Sequence, residues 1–106
     1  MTYPMSTIIA KRELTRTTQN GVSSPVEVTI GTPTLIPAQD DLAECWYCPV
    51  QVLGIEHDEV RPAFGVDSMQ ALSLALYMAG MLIATSSVAL EVEGHEENYG
   101  FPATPV

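Results

Sequence analysis

Alternating apolar and polar side chains predict extended strands in the first half of the chain. The clearest case is PVEVTIG at 25–31, in which Val26, Val28 and Ile30 recur at every second position. A period of two is typical of a strand that buries one face. The β-branched segment STIIAKRELTR at 6–16 predicts an earlier strand by the same reasoning.

A third strand is predicted over LAECWYCPVQVLG at 42–54. Its alternation assigns one set of side chains to the buried face: Trp46, Cys48, Val50 and Val52. The opposite face then receives Cys45, Tyr47 and Gln51. Pro49 has no N–H to donate, so it requires an edge strand, a bulge or an amide position that faces outward. Shorter extended segments are predicted at 34–36, 60–64 and 88–94.

The segment from 65 to 87 predicts one long helix. Asp67 is suited to the N-cap, and Gln70 lies three residues later, as in a capping box. Apolar residues at helical spacing form the expected core stripe: Met69, Leu72, Leu76, Ala79 and Ile83. The other side is expected to hold Ser68, Ser73, Tyr77 and Gly80. The helix should end at 85–87, and residues 95–106 are predicted to form an exposed tail.

These elements predict a single α+β domain over residues 1–106. Its sheet would be antiparallel, with three to five strands, and one long hydrophobic helix would pack on one face. A membrane span is the alternative, because residues 68–90 carry no charge. Polar residues interrupt that run, and its flanks, Asp67 and Glu91, are acidic. A capped helix on a sheet is therefore favoured, and no membrane interaction is expected.

The charge of the chain is strongly and unevenly acidic. Its net charge is −9, from 13 acidic and 4 basic residues, and Arg61 is the one base after residue 16. This balance disfavours nucleic acid and anionic membranes, and it favours a basic protein partner. The alternative is that the charge serves solubility alone. The candidate partner-binding residues are Asp40, Asp41, Glu44, Glu56, Asp58, Glu59, Glu91, Glu93, Glu96 and Glu97.

The two cysteines raise the question of redox or metal chemistry. Redox pairs of this spacing place the first thiol at a helix N-terminus, whereas here strand residues follow Cys48. Residues three apart in a strand point to opposite faces, which disfavours a disulfide or shared zinc ligation by Cys45 and Cys48. We therefore expect two reduced thiols, no metal, no cofactor and a cytoplasmic location.

Other chemical motifs are weak. The chain has no glycine-rich phosphate loop and no nucleophile elbow. The run His57-Asp58-Glu59 contains a base beside carboxylates, but such a run is usually solvated. We expect no catalytic activity, and therefore no catalytic residues.

Two fragments resemble an uncharacterised family of small bacterial α+β proteins: CWYCPVQVLG at 45–54 and GVDSMQALSLAL at 65–76. That family shares a Trp-x-Cys-Pro strand followed by a Gly-Val-Asp-Ser-x-Gln-Ala-Leu helix start. The resemblance implies a fold and no activity. It marks Trp46, Cys48, Asp67 and Gln70 as structural residues, with Trp46 as an anchor between sheet and helix.

Three functions are open on this sequence. In size and charge the chain is similar to immunity proteins of bacterial contact-dependent inhibition and other polymorphic toxin systems. We therefore expect a non-catalytic protein that binds and neutralises a basic toxin, such as a nuclease. The alternative is a stand-alone small-ligand-binding or housekeeping module, with its ligand between sheet and helix or at a dimer interface. A redox enzyme that uses Cys45 and Cys48 is the third. The sequence leaves the oligomeric state open.

Overall fold

The computed structural model describes residues 2–94 and 97–105, without the side chain of Glu97. The first part of the chain forms five strands: β1 (Ile8–Thr17), β2 (Ser23–Gly31), β3 (Thr34–Ile36), β4 (Cys45–Leu53) and β5 (Arg61–Gly65). The second part holds helix α1 (Ser68–Ala84), a 3₁₀ turn (Ala89–Glu91), strand β6 (Val92–Glu93) and a short helical segment (Glu97–Gly100).

The described strands form one antiparallel sheet centred on β4. Trp46 and Tyr47 pair with both β3 and β5, and Val50 pairs with both β2 and β5. Strands β2 and β3 therefore share one edge of β4, and β5 lines the other edge. Strand β1 pairs with β2, and β6 adds to the far side of β1.

The α+β class, the antiparallel sheet and the long helix are confirmed. The predicted three to five strands is too low, because the sheet has six. The two shortest strands are β3, with three residues, and β6, with two. Both lie within extended segments that the sequence predicts, at 34–36 and 88–94, but the predicted strand count did not include every short segment. In the second segment only Val92–Glu93 forms a strand, and a 3₁₀ turn precedes it.

Pro49 lies where β4 changes neighbours. Strand β3 pairs with β4 as far as Tyr47, and β2 pairs from Val50 onward. Across the sheet, Pro49 is opposite Pro62 of β5, which also lacks an N–H. The ladder thus has no donor to lose at this position, which explains how a proline fits a central strand.

The core lies between α1 and one face of the sheet. Val26, Val28 and Ile30 of β2 are at most 2% exposed, as their alternation predicts. In β4, the side chains of Cys48, Val50 and Val52 are at most 1% exposed. Trp46 is half-buried and packs against the same cluster. The predicted inner faces of both strands are confirmed.

The buried face of α1 differs from the prediction. Its buried positions are Ala71, Ala75, Ala79, Gly80 and Ile83. Met69 is 78% exposed, and the leucines lie half-buried on either side of the alanines. Apolar residues cover most of this helix, so periodicity alone does not select the face. The face that packs on the sheet is the one that carries Ala71, Ala75 and Ala79, because small side chains let the helix and the sheet approach closely.

The helix begins at the predicted cap. The Asp67 carboxylate accepts a hydrogen bond from the Gln70 N–H at 2.8 Å. The Gln70 side-chain oxygen in turn accepts from the Val66 N–H at 2.7 Å. This is a capping box displaced by one residue: it satisfies one donor that the helix leaves unpaired, the Gln70 N–H, and one donor just before the N-cap, the Val66 N–H. The predicted N-cap at Asp67, with Gln70 three residues later, is what the structure has.

Residues 97–102, here called the strap, correct the prediction of an exposed tail. The helix packs mainly on β4 and β5, which leaves the same face of β1 uncovered. The strap crosses that space: Phe101 is 8% exposed and belongs to the core, and Tyr99 packs against the core. Residues 102–105 are exposed as predicted. His95, Glu96 and Val106 lie outside the described residues.

The opposite face of the sheet is partly covered by the N-terminal segment. Tyr3 packs edge-on against Tyr47 and Phe64, with ring centroids 5.1 Å apart in both pairs. Pro49 is buried on this face. None of the helices within residues 2–94 and 97–105 is long and apolar enough to cross a membrane.

Candidate functional site

The two cysteines have different environments and are both free. Cys48 is fully buried in the core, and its thiol donates to the Gly31 carbonyl over 3.3 Å. Burial raises the pKa of the Cys48 thiol from 9.0 to about 11. Cys45 is half-buried and lies outside the core cluster. A reactive cysteine requires a lowered pKa, so Cys48 is placed as a packing residue, as predicted.

The candidate acidic residues fall at two ends of the molecule. Asp40, Asp41 and Glu44 precede β4, whereas Glu56, Asp58 and Glu59 follow it. At about 3.3 Å per residue, β4 separates these two groups by about 27 Å. Glu91 and Glu93 join the second group, because β6 pairs with the last residues of β1. The candidates therefore do not form one surface.

Three acidic residues of the second group are engaged within the chain. Arg16 Nε donates to Glu91 over 2.7 Å, and Arg61 Nη2 donates to Glu59 over 2.6 Å. Glu56 Oε2 accepts from the backbone N–H of Ser87 at 2.8 Å, which lowers the pKa of the Glu56 carboxyl. The contacts of Glu91 and Glu56 join the ends of β1 and β4 to the segment that follows α1, whereas the Glu59–Arg61 pair is local. They give these three carboxylates a structural role.

Five other acidic side chains form no ion pair within the described part of the chain: Asp40, Asp41, Glu44, Asp58 and Glu93. Three of the five lie in one loop. The remaining candidates, Glu96 and the side chain of Glu97, lie outside the described residues.

The acidic loop, residues 37–44, connects β3 to β4 and is exposed along its whole length. Gln39 and Leu42 exchange two backbone hydrogen bonds, of 3.0 and 2.7 Å, which closes a tight turn. Asp40 has φ +49, a conformation that Asp tolerates better than most residues. The turn holds Leu42 73% exposed between the acidic side chains. The loop thus presents an apolar residue framed by unpaired carboxylates.

Sequence reasoning included the three acids of this loop but missed Leu42. The available signal was a leucine inside a polar segment bounded by Pro37 and the start of a strand. A period-two reading assigned Leu42 to the strand, whereas the structure begins β4 at Cys45.

A second surface feature is an apolar groove between α1 and the edge strand β5. It encloses about 510 Å³ and is lined by Pro62, Ala63, Phe64, Leu74, Tyr77, Met78 and Met81. Met81 of this groove is exposed, as is Met69 earlier on the helix, which was predicted to lie in the core stripe. The groove has no polar side chain that would orient a ligand except the Tyr77 hydroxyl.

The fold and these surfaces define a two-layer α+β protein with an acidic loop at one end. Comparison with known families makes the assignment more specific. The chain belongs to the family described as "Domain of unknown function (DUF6968)", whose model matches residues 10–103. No curated protein and no solved structure gives a significant match. The family assignment carries no activity.

Proposed function

We propose that this protein is a non-catalytic binding module whose acidic loop docks on a basic protein surface. The observation that carries the proposal is the state of Asp40, Asp41 and Glu44. Their carboxylates are exposed and make no ion pair with any described residue. Glu56, Glu59 and Glu91 are already engaged inside the molecule, so they are poorer contacts for a partner.

The geometry of the loop supports recognition in two steps. Unpaired carboxylates attract a basic surface over distances up to the Debye length, which speeds encounter. Leu42 can then enter an apolar depression on the partner and exclude water from the surrounding charge pairs. The backbone pair between Gln39 and Leu42 holds the turn before binding, which lowers the entropy lost on docking.

The narrower form of the proposal is an immunity protein that binds and neutralises a basic toxin. Its support is the small size of the chain and a net charge of −9. An acidic loop can occupy a basic cleft in which a nuclease would hold phosphate, since both supply oxygen anions to the same Lys and Arg side chains. Two free thiols fit a reducing compartment such as the cytoplasm.

The test uses the full chain immobilised as bait for a lysate of the source organism. Capture is compared at about 0.1 M and about 1 M salt, where the Debye length falls from about 10 Å to about 3 Å. We expect a basic protein to be retained at low salt and released at high salt. The loop variant D40N/D41N/E44Q should bind the purified partner about tenfold more weakly or worse.

The matched control is D58N/E93Q, which removes two carboxylates that also lack an ion pair but lie at the other end of the molecule. It should stay within about twofold of the wild-type affinity. Equal binding by the loop variant, salt-insensitive capture, or retention of no protein at low salt would each contradict the proposal. For the narrower form, expression of the captured protein should arrest growth. Co-expression of this chain, but not of the loop variant, should restore it.

A further inference from the structure

Arg12 differs from the other three cations of the chain. Lys11 pairs with Glu13 and Glu27, Arg16 with Glu91, and Arg61 with Glu59. Arg12 has no carboxylate partner among the described residues, in a protein that carries 13 acidic side chains. An arginine that pairs with none of the described carboxylates, in a chain so rich in them, is a candidate for binding an anion from outside.

The guanidinium of Arg12 is held in place by the strap. Its central carbon lies 4.6 Å from the centroid of the Phe101 ring, a cation–π arrangement. Its Nη1 donates to the Tyr99 carbonyl over a long 3.4 Å. A guanidinium has five N–H donors in a rigid fork, so most of them are left for another acceptor. The stacking fixes the plane of the fork without neutralising its charge.

A cavity of about 200 Å³ lies beside this guanidinium. It arises because α1 sits over β4 and β5, while the strap only partly fills the space above β1 and β2. Its lining is mostly apolar: Ala10, Val28, Ile30, Leu76, Phe101 and Pro102. Lys11 also borders it, but the ammonium of Lys11 is paired with Glu13 and Glu27. A water molecule in the liquid occupies about 30 Å³, so the cavity has room for roughly seven non-hydrogen atoms.

We propose that this cavity binds a small monocarboxylate with an apolar body. The carboxylate would meet the fork of Arg12, the geometry in which a guanidinium forms two parallel hydrogen bonds. The hydrocarbon body would lie against Val28, Ile30 and Leu76. Phosphate fits less well, because a mostly apolar lining desolvates a multiply charged anion, and the ammonium of Lys11 is already paired with Glu13 and Glu27. The site is separate from the acidic loop and does not depend on the proposed protein partner.

The probe for the test is hexanoate, which has a single carboxylate and eight non-hydrogen atoms by its formula. This is about one atom more than the cavity encloses, and the cavity is open to solvent on one side. We expect hexanoate to cause saturable shifts in the ¹⁵N NMR spectrum of the full chain, concentrated at the residues that line the cavity. Hexan-1-ol and hexylammonium, with the same chain and no negative charge, should bind at least about tenfold more weakly, since a charged hydrogen bond contributes about that factor.

Three variants separate this site from nonspecific binding. R12Q should weaken hexanoate binding by about tenfold or more, because the charge and the fork are lost. R61Q is the matched control: Arg61 is paired with Glu59 and does not line the cavity, so the same change of side chain there should leave the hexanoate affinity unchanged. A10L keeps Arg12 but fills the cavity, and it should abolish binding while the spectrum shows a folded chain.

Each contrary outcome overturns the proposal. Absence of saturable hexanoate shifts would do so directly. Equal binding of hexanoate by R12Q would show that the guanidinium has no part in recognition. Equal binding by A10L would place the ligand elsewhere, and binding of hexylammonium as tight as hexanoate would show a purely apolar contact. Because R12Q removes the stacking of Arg12 on Phe101, the thermal unfolding midpoint of this variant is measured as well. If that midpoint falls, A10L, which keeps Arg12, decides the question.

Discussion

Arg16 donates through Nε to the carboxylate of Glu91 over 2.7 Å, joining the end of β1 to the 3₁₀ turn that follows α1. Both side chains are about 30% exposed, at 29% and 31%. Arg16 also reaches the Gly54 carbonyl at 3.5 Å, so one side chain contacts the ends of β1 and β4 and the turn after the helix. The carboxylate of Glu91 therefore has a structural role.

The first prediction follows from this pair. E91Q should reduce the free energy of unfolding by about 1 kcal/mol, because it removes a partly shielded charge from Arg16. E93Q is the control, since Glu93 is exposed and forms no ion pair in the described residues. Urea unfolding of both variants checks this. Equal losses in E91Q and E93Q would show that general charge, and not the pair, is responsible.

The second prediction concerns the glycine that begins the helix motif. A Cβ at Gly65 would overlap the backbone N of Ala71 and lie 2.9 Å from the backbone C of Gln70. Backbone atoms inside a capped helix cannot move away cheaply, so G65A should destabilise the protein by about 2 kcal/mol or more. V66A is the control. Val66 is the next residue and is 76% exposed, so this variant should change the free energy of unfolding by less than about 0.5 kcal/mol. Thermal and urea unfolding distinguish the two. A stable G65A protein would mean that α1 approaches β5 less closely than described.

The third prediction tests the N-cap of α1. D67A should lower the free energy of unfolding by about 1 kcal/mol, because the Gln70 N–H loses its acceptor. D67N retains an acceptor oxygen and should recover most of that loss. The measurement is urea unfolding at neutral pH. If D67N is as unstable as D67A, the charge near the helix N-terminus matters more than the hydrogen bond.

The fourth prediction is a pH dependence that arises from Cys48. Burial raises the pKa of its thiol from 9.0 to about 11, so the unfolded chain releases this proton first as pH increases. The stabilisation is complete below pH 9 and is lost as pH rises through 11. Across that interval the wild-type protein should lose about 2 kcal/mol more stability than C48A, in which this group is absent. Parallel curves for the two proteins would contradict the raised pKa.

Thiol labelling gives an independent measurement of the same environment. At neutral pH, Ellman's reagent should modify Cys45 and leave Cys48 unmodified until the chain unfolds, because Cys48 is fully buried. The C45S variant isolates the Cys48 signal. Rapid modification of Cys48 in folded C45S would show that the core around it opens readily.

Much of the fold was predictable because its signals are local. The alternation around Val28 and the pairing of Asp67 with Gln70 depend on residues within a few positions of one another. The face of α1 was less predictable, since its leucines and alanines are all apolar. Only the close approach to the sheet selects Ala75 over Leu76 for full burial.

The strap was not predictable from its own composition. Phe101 is buried because Arg12 stacks on it and because Gly80 leaves room. A Cβ at Gly80 would lie 2.7 Å from Asn98 Nδ2 and 3.1 Å from Phe101 Cβ. All of these contacts join residues far apart in the chain, so the sequence pattern near 101 carries no sign of them.

The sequence by itself determined the strands with strict alternation, the start of the helix, the excess of carboxylates and the separation of the two thiols. These properties depend on periodicity, capping chemistry and composition, which are local or additive. Only the tertiary structure decided where the strap packs and, among the residues that it describes, which carboxylates stay unpaired and which arginine lacks a carboxylate. Each of these depends on which groups, distant in the sequence, come within contact distance when the sheet assembles. The positions of the charged residues along the chain do not specify which groups will meet.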